Sequence, residues 1–152
     1  MNLSDMYQRP GFLLRRAHQI SAAVFESACA DVGLTQAQYG VLTVLDSAPD
    51  IDQSRLARAL AFDKVTVLRV VRGLQERGLV ARGVSPGNRR QMAIRLTPQG
   101  KRLLKKTEQP VRLAYAQLMA PLSPQQSQQL IALLQQLTHG LQDVARARFV
   151  PL

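Results

Sequence analysis

Fourteen of the chain's 20 Lys and Arg residues fall between positions 53 and 106, opposed only by Asp63 and Glu76, so this stretch sums to +12. Positions 1–52 sum to −3 and positions 107–152 to +1, which completes the +10 of the 152-residue whole. A basic block of this density suits neutralisation of phosphates, the dominant contribution to nucleic-acid affinity, and is a footprint for DNA or RNA, which the order of elements below narrows to double-stranded DNA. The side-chain types divide the work. A guanidinium fork matches the O6 and N7 acceptors of guanine, which makes Arg69 the candidate base reader. Lys64, Val65, Thr66 and Leu68 stand beside it. Thr66 can meet a base or a phosphate, and Val65 and Leu68 can pack on thymine methyl groups. Arg55, Arg72 and Arg77 are candidates for phosphates. Arg89 and Arg90 follow the turn Ser85-Pro86-Gly87-Asn88, whose tip can carry them into a narrow minor groove.

A second set of residues could hold a small acid. Arg15, Arg16 and His18 interrupt an otherwise apolar helical stretch, and Arg15 and His18, three apart, share a face. A carboxylate in an apolar pocket needs a charged partner, and Arg binds it bidentately. With Phe12 and Tyr39 as ring partners, these residues could line a pocket for a small aromatic or N-heteroaromatic acid. The competing reading pairs the two arginines with acids at a dimer interface and leaves His18 structural.

Other chemistries find less support. The single Cys29 excludes a disulfide framework. Its neighbours Phe25, Ala28 and Val32 favour core packing over an alternative role as a redox sensor. His18 and His139 lie far apart in sequence, so no metal is expected. There is no Ser/His/Asp grouping, phosphate loop or HExxH, so neither an enzyme nor a cofactor is expected. No run of about 18 apolar residues and no signal peptide occur, which points to a cytoplasmic protein without a membrane span.

The elements that must position these residues follow from periodicity and punctuation. Pro10 starts a helix carrying Leu13, Ala17, Ile20, Val24 and Ala28, and Gly33 stops it. Thr35 and Gln38 have capping-box spacing ahead of Tyr39, Val41, Leu42 and Leu45. Positions 48–51 read as a turn. Asp52 caps a short helix with Leu56, Ala57 and Leu60, and Asp63 caps the next, with Val67, Val70, Val71 and Leu74, up to Gly78. The period then changes to strands at 79–84 and 92–96. Thr97-Pro98 opens a long helix in which Pro110 should cause a kink or interruption. Ser123 and Gln126 cap the last helix, whose Leu130, Leu134, Leu137, Leu141 and Val144 form a heptad seam that asks for another helix. This order is a mainly α chain with a winged helix-turn-helix, a two-stranded β wing, and long N- and C-terminal helices suited to dimerisation.

Leu56-Ala57, Asp63, Thr66, Val70-Val71, Leu74, Glu76-Arg77-Gly78-Leu79-Val80, Arg82, Asn88-Arg89-Arg90 and Leu96-Thr97-Pro98-Gln99-Gly100 together resemble the MarR family of bacterial transcription regulators. The resemblance implies a homodimer, mostly a repressor, that binds a pseudo-palindromic operator and is released by a small aromatic acid. It divides the chain into an N-terminal dimerisation helix (1–34), a DNA-binding region (35–100) and C-terminal dimerisation helices (101–152). The family's wing usually carries an acid two residues before Arg, where this chain has Asn88 ahead of Arg90. The run Pro10 to Ile20, with Gln38-Tyr39 and Ile51-Asp52-Gln53, is similar to a subgroup controlling catabolism of aromatic acids, nicotinate derivatives included. The main alternative is a DNA-architectural protein that answers to no effector.

Overall fold

Side-chain caps decide where the helices begin. The computed structural model describes residues 2–152, and six helix starts carry a side chain that accepts a hydrogen bond from a first-turn amide. Asn2 caps α1 (Leu3–Tyr7), and Thr35 caps α3 (Gln36–Ser47) through the Gln38 amide at 3.2 Å. Asp52 caps α4 (Gln53–Ala59) at 2.9 Å, and Asp63 caps α5 (Lys64–Glu76) at 2.7 Å. Thr97 caps α6 (Pro98–Met119), and Ser123 caps α7 (Pro124–Gly140). Of the α-helices among the described residues, only the long α2 (Pro10–Ala28) lacks such a bond, and there Pro10 supplies a pre-set φ and no orphan N–H.

The structure changes several expectations. Residues 3–7 form a helix that the sequence reading left out. The stretch read as a turn at 48–51 ends in a two-residue strand, β1 (Ile51–Asp52), which pairs with Ile94 and Ala93. The wing strands β2 (Val80–Ser85) and β3 (Asn88–Leu96) are therefore part of a three-stranded antiparallel sheet, ordered β1-β3-β2. Asp50 turns the chain into β1 with φ +62°, a conformation that Asp tolerates better than most residues. Pro110 does not interrupt α6, which runs through it. Val111 and Ala114, just beyond, are buried in a cluster with Phe25 of α2 and Cys29 at its C-cap. The last helix stops at Gly140, so Leu141 and Val144 of the expected seam lie beyond it, in and before a 3-10 turn at Gln142–Val144.

Two apolar clusters result. The larger joins α3, α4, α5 and the sheet through Leu42, Leu45, Leu56, Val71, Leu74 and Ile94. The smaller sits between α2 and α6. Outside both, α2, α6 and α7 present Leu13, Leu14, Ile20, Leu113, Tyr115, Ile131 and Leu133 to solvent. No helix among the described residues is long and apolar enough to cross a membrane.

One junction fastens these parts together. Gly78, at φ +70°, ends α5 in a Schellman turn: its own N–H donates to Gln75 (2.9 Å) and that of Leu79 to Leu74 (3.0 Å). Thr97, at the other end of the wing, donates its hydroxyl to the Gly78 carbonyl at 2.6 Å and its amide to the Leu79 carbonyl at 3.1 Å. Gly100 packs directly against that same Leu79 carbonyl, leaving no room for a Cβ. Gly100→Ala should cost about 1–3 kcal/mol as overpacking against backbone. A thermal melt should show Tm lower by roughly 2–4 °C for each kcal/mol lost, and an unchanged Tm would contradict this packing.

Candidate nucleic-acid interface

The residues of α5 segregate by helical period. Val67, Val70, Val71 and Leu74 form a buried stripe. Val65, Leu68, Arg69 and Arg72 fall within an arc of about 100° on the opposite side, and Lys64 extends it. All five are exposed, Val65 at 76%. Thr66 lies between the two faces and is half-buried. Among the described residues, none of these five side chains makes a hydrogen bond or ion pair within the chain, so all are available to a partner.

The approach of α4 to α5 is a tight turn. Ala61 adopts φ +52° and the Phe62 amide donates to the Ala57 carbonyl at 2.9 Å, which sends the chain directly into the Asp63 cap. The bonded Thr66 amide is the main reason that the Asp63 carboxyl is held below the usual carboxylate range, and the positive charge of Arg69 adds a smaller pull. Arg55 and Arg58 are exposed on α4 while Leu56 and Ala57 are buried. Arg58 was not among the residues expected from sequence, although its spacing of three from Arg55 puts both on one face.

Arg77 has a different task from the phosphate contact expected of it. Its Nη1 donates to the Gly33 carbonyl at 2.7 Å and its Nη2 to the Val32 carbonyl at 3.2 Å. The guanidinium thus ties the end of α5 to the turn between α2 and α3. Its neighbour in sequence, Gly78, belongs to the junction with α6, so the C-terminal end of α5 is held from two sides.

The wing projects Arg89 and Arg90 into solvent as expected. Asn88 accepts a hydrogen bond from the Arg90 amide at 3.0 Å, so the residue that replaces the usual acid stiffens the tip through the backbone. The base of the wing is held by two contacts that sequence spacing did not reveal. Arg95 forms an ion pair with Asp50 at 2.7 Å, and Arg82 donates to Gln53 at 3.1 Å. Both cross from the sheet to the segment that begins α4.

The five residues proposed for an acid pocket are not gathered in one cavity. Arg15 lies over the Phe12 ring, 5.2 Å from its centroid, and Arg16 is exposed. Tyr39 packs on Phe25 at 5.5 Å between ring centroids, on the side of the smaller core. His18 instead lines a groove of about 440 Å³ with Glu26, Gln36, Gln38 and Arg69. Cys29 is buried, and burial pushes its thiol pKa up, which favours the unreactive protonated form.

The sequence model of the MarR family matches residues 32–91. A protein of Thauera aromatica assigned as the transcriptional regulator of the hcr operon is 35% identical over 128 residues, 84% of this chain and 77% of that protein. Among solved structures, BpsR of Bordetella bronchiseptica, whose DNA binding is regulated by 6-hydroxynicotinic acid, superposes with a TM-score of 0.81. It is 30% identical, with 87% of this chain and 94% of that chain covered. The transcriptional repressor CouR of Rhodococcus jostii RHA1, solved on a 23-mer DNA duplex, gives a TM-score of 0.82 at 27% identity, with 91% and 98% covered.

The lowered pKa of Asp63 predicts a pH signature. Its contribution to stability is complete above the ordinary Asp range and fades as acid protonates it through that lowered pKa. The Tm difference between the wild type and Asp63→Ala should therefore be largest at neutral pH and shrink between about pH 5 and pH 2. A difference that grows on acidification would contradict the cap.

Proposed function

The chain belongs to the MarR family, and from that premise we propose that it is a transcriptional repressor that binds a pseudo-palindromic operator as a homodimer. The observation that carries this reading is the free outer face of α5, with Lys64, Val65, Leu68, Arg69 and Arg72 exposed and unpaired beside the half-buried Thr66. A helix of this composition fits the major groove, with Arg69 on a guanine edge and Val65 and Leu68 against thymine methyls. Arg55 and Arg72 then meet phosphates, and Arg89 and Arg90 reach a minor groove. Arg77, already committed to two carbonyls, drops out of the contact set.

Homodimerisation is supported by the exposed apolar faces of three helices, α2, α6 and α7, in a small molecule. A second copy would cover them, and its two-fold axis would match two half-sites one helical turn apart.

The proposed effector is a small aromatic or N-heteroaromatic carboxylate of the nicotinate type. Two features support it: the arginines of the first long helix, and the groove where His18 of α2 faces Arg69 of α5. Its size is within the range of small-molecule sites. The reading in which no effector acts keeps the same α5 face and predicts DNA binding indifferent to every such acid.

Arg69→Ala should lose roughly 1–3 kcal/mol at the cognate site and relax specificity at one base position, measured by titration of a footprinted fragment from the gene's own promoter. Unchanged affinity and specificity would remove Arg69 from the interface. Light scattering should give twice the mass of the 16.8 kDa chain at micromolar concentration, and a monomer would overturn the dimer. Calorimetry with benzoate and nicotinate derivatives should detect binding that Arg15→Ala, Arg16→Ala or His18→Ala weakens. No heat from any of these acids would favour the effector-free reading.

A further inference from the structure

The C-terminal segment returns to the helix-turn-helix. The Val150 amide donates to the Arg58 carbonyl of α4 at 3.0 Å. Val150, Pro151 and Leu152 form one wall of a cleft of about 220 Å³, and Arg55 and Arg58 form the other. Val150 also borders a larger open depression together with Asp143, Arg146, Arg148 and Phe149.

The backbone here is not helical. Ala145 is extended, at φ −70° and ψ 140°, and side chains two apart along an extended chain point the same way. Arg146 and Arg148 are exposed and border the same depression, while Ala147 between them is half-buried. All four arginines, two on α4 and two on the segment, are exposed. Among the described residues, none has a carboxylate within salt-bridge distance, and the one ion pair found is that of Arg95 with Asp50. The opposing charge that borders the same depression is Asp143.

We propose that residues 145–152 are a working part of the DNA-binding lobe, a docked strap that sets Arg146 and Arg148 beside Arg55 and Arg58 to hold the phosphate backbone flanking the half-site. The partner is argued from charge and shape. Four unpaired guanidiniums at the edge of a helix-turn-helix suit phosphodiesters, each of which a guanidinium can bind through two parallel bonds. The bond from Val150 to Arg58 makes the arrangement part of the folded lobe and distinguishes it from a loose basic tail. This inference rests on the DNA-binding reading above, and it adds contacts remote from α5 that carry no sequence information.

The test uses the full chain and a promoter duplex, with a scrambled duplex alongside, titrated across a range of salt concentrations. Arg146→Gln with Arg148→Gln should weaken binding to both duplexes by a similar factor, about three- to tenfold, and lower the salt slope by about one per lost contact. Val150→Pro removes the donor to Arg58 and should reproduce much of this loss, with Tm and dimer mass unchanged. A wild-type slope in the double Gln variant would overturn the proposal. A loss in that variant but none in Val150→Pro would overturn the docked strap, because a free basic tail explains it. A wild-type protein that binds neither duplex at low salt would instead overturn the DNA-binding reading itself.

Discussion

The arrangement of this molecule depends on the close approach of Gly100 to the Leu79 carbonyl. That oxygen also accepts the Thr97 amide, while the neighbouring Gly78 carbonyl takes the Thr97 hydroxyl. Three elements meet there: the end of α5, the base of the wing and the start of α6. A side chain at position 100 would push them apart. Because the contact is backbone on backbone, it leaves little rotational freedom between α5 and α6. Arg77 adds a second restraint by tying the same end of α5 to the turn ahead of α3. A change in the angle between α2 and α6 would therefore be felt at α5 through these contacts.

This coupling gives physical content to the proposed release by an effector. A ligand shifts an equilibrium only by its differential affinity for the two states. The groove shared by His18 and Arg69 is bounded by α2, the first turn of α3 and α5, so its width depends on how the lobe is set against α2. A molecule that fits one setting better than another acts on the position of α5 without distorting it.

Much of the fold was legible because it is written locally. Five caps, the stop at Gly78, the buried stripe of α5 and the wing turn all follow from residues within four positions of one another. What was not legible depends on distant partners. A strand of two residues such as Ile51–Asp52 has no period to detect, and its pairing lies more than forty residues away at Ala93 and Ile94. Arg77 looks like any basic residue at the end of an amphipathic helix, since nothing nearby in sequence marks the carbonyls of Val32 and Gly33 as its acceptors. The grouping of Arg15, Arg16, His18, Phe12 and Tyr39 rested on residue type. The fold turns Tyr39 toward the smaller core, stacks Arg15 on Phe12 and sends His18 to another groove. The near-neutral charge of positions 107–152 likewise concealed where Arg146 and Arg148 would be placed.

The bare outer face of α5 has a consequence for how such a regulator can diverge. Among the described residues, Val65, Leu68, Arg69 and Arg72 make no side-chain hydrogen bond or ion pair, whereas Val67, Val71 and Leu74, interleaved with them, are almost wholly buried. Substitutions at the first set leave folding nearly untouched, as surface changes away from packed or bonded groups generally do. With α5 reading the operator as proposed, the preferred DNA sequence can drift after gene duplication while the scaffold stays under selection, so two copies can come to control different genes through a handful of exchanges on one helix.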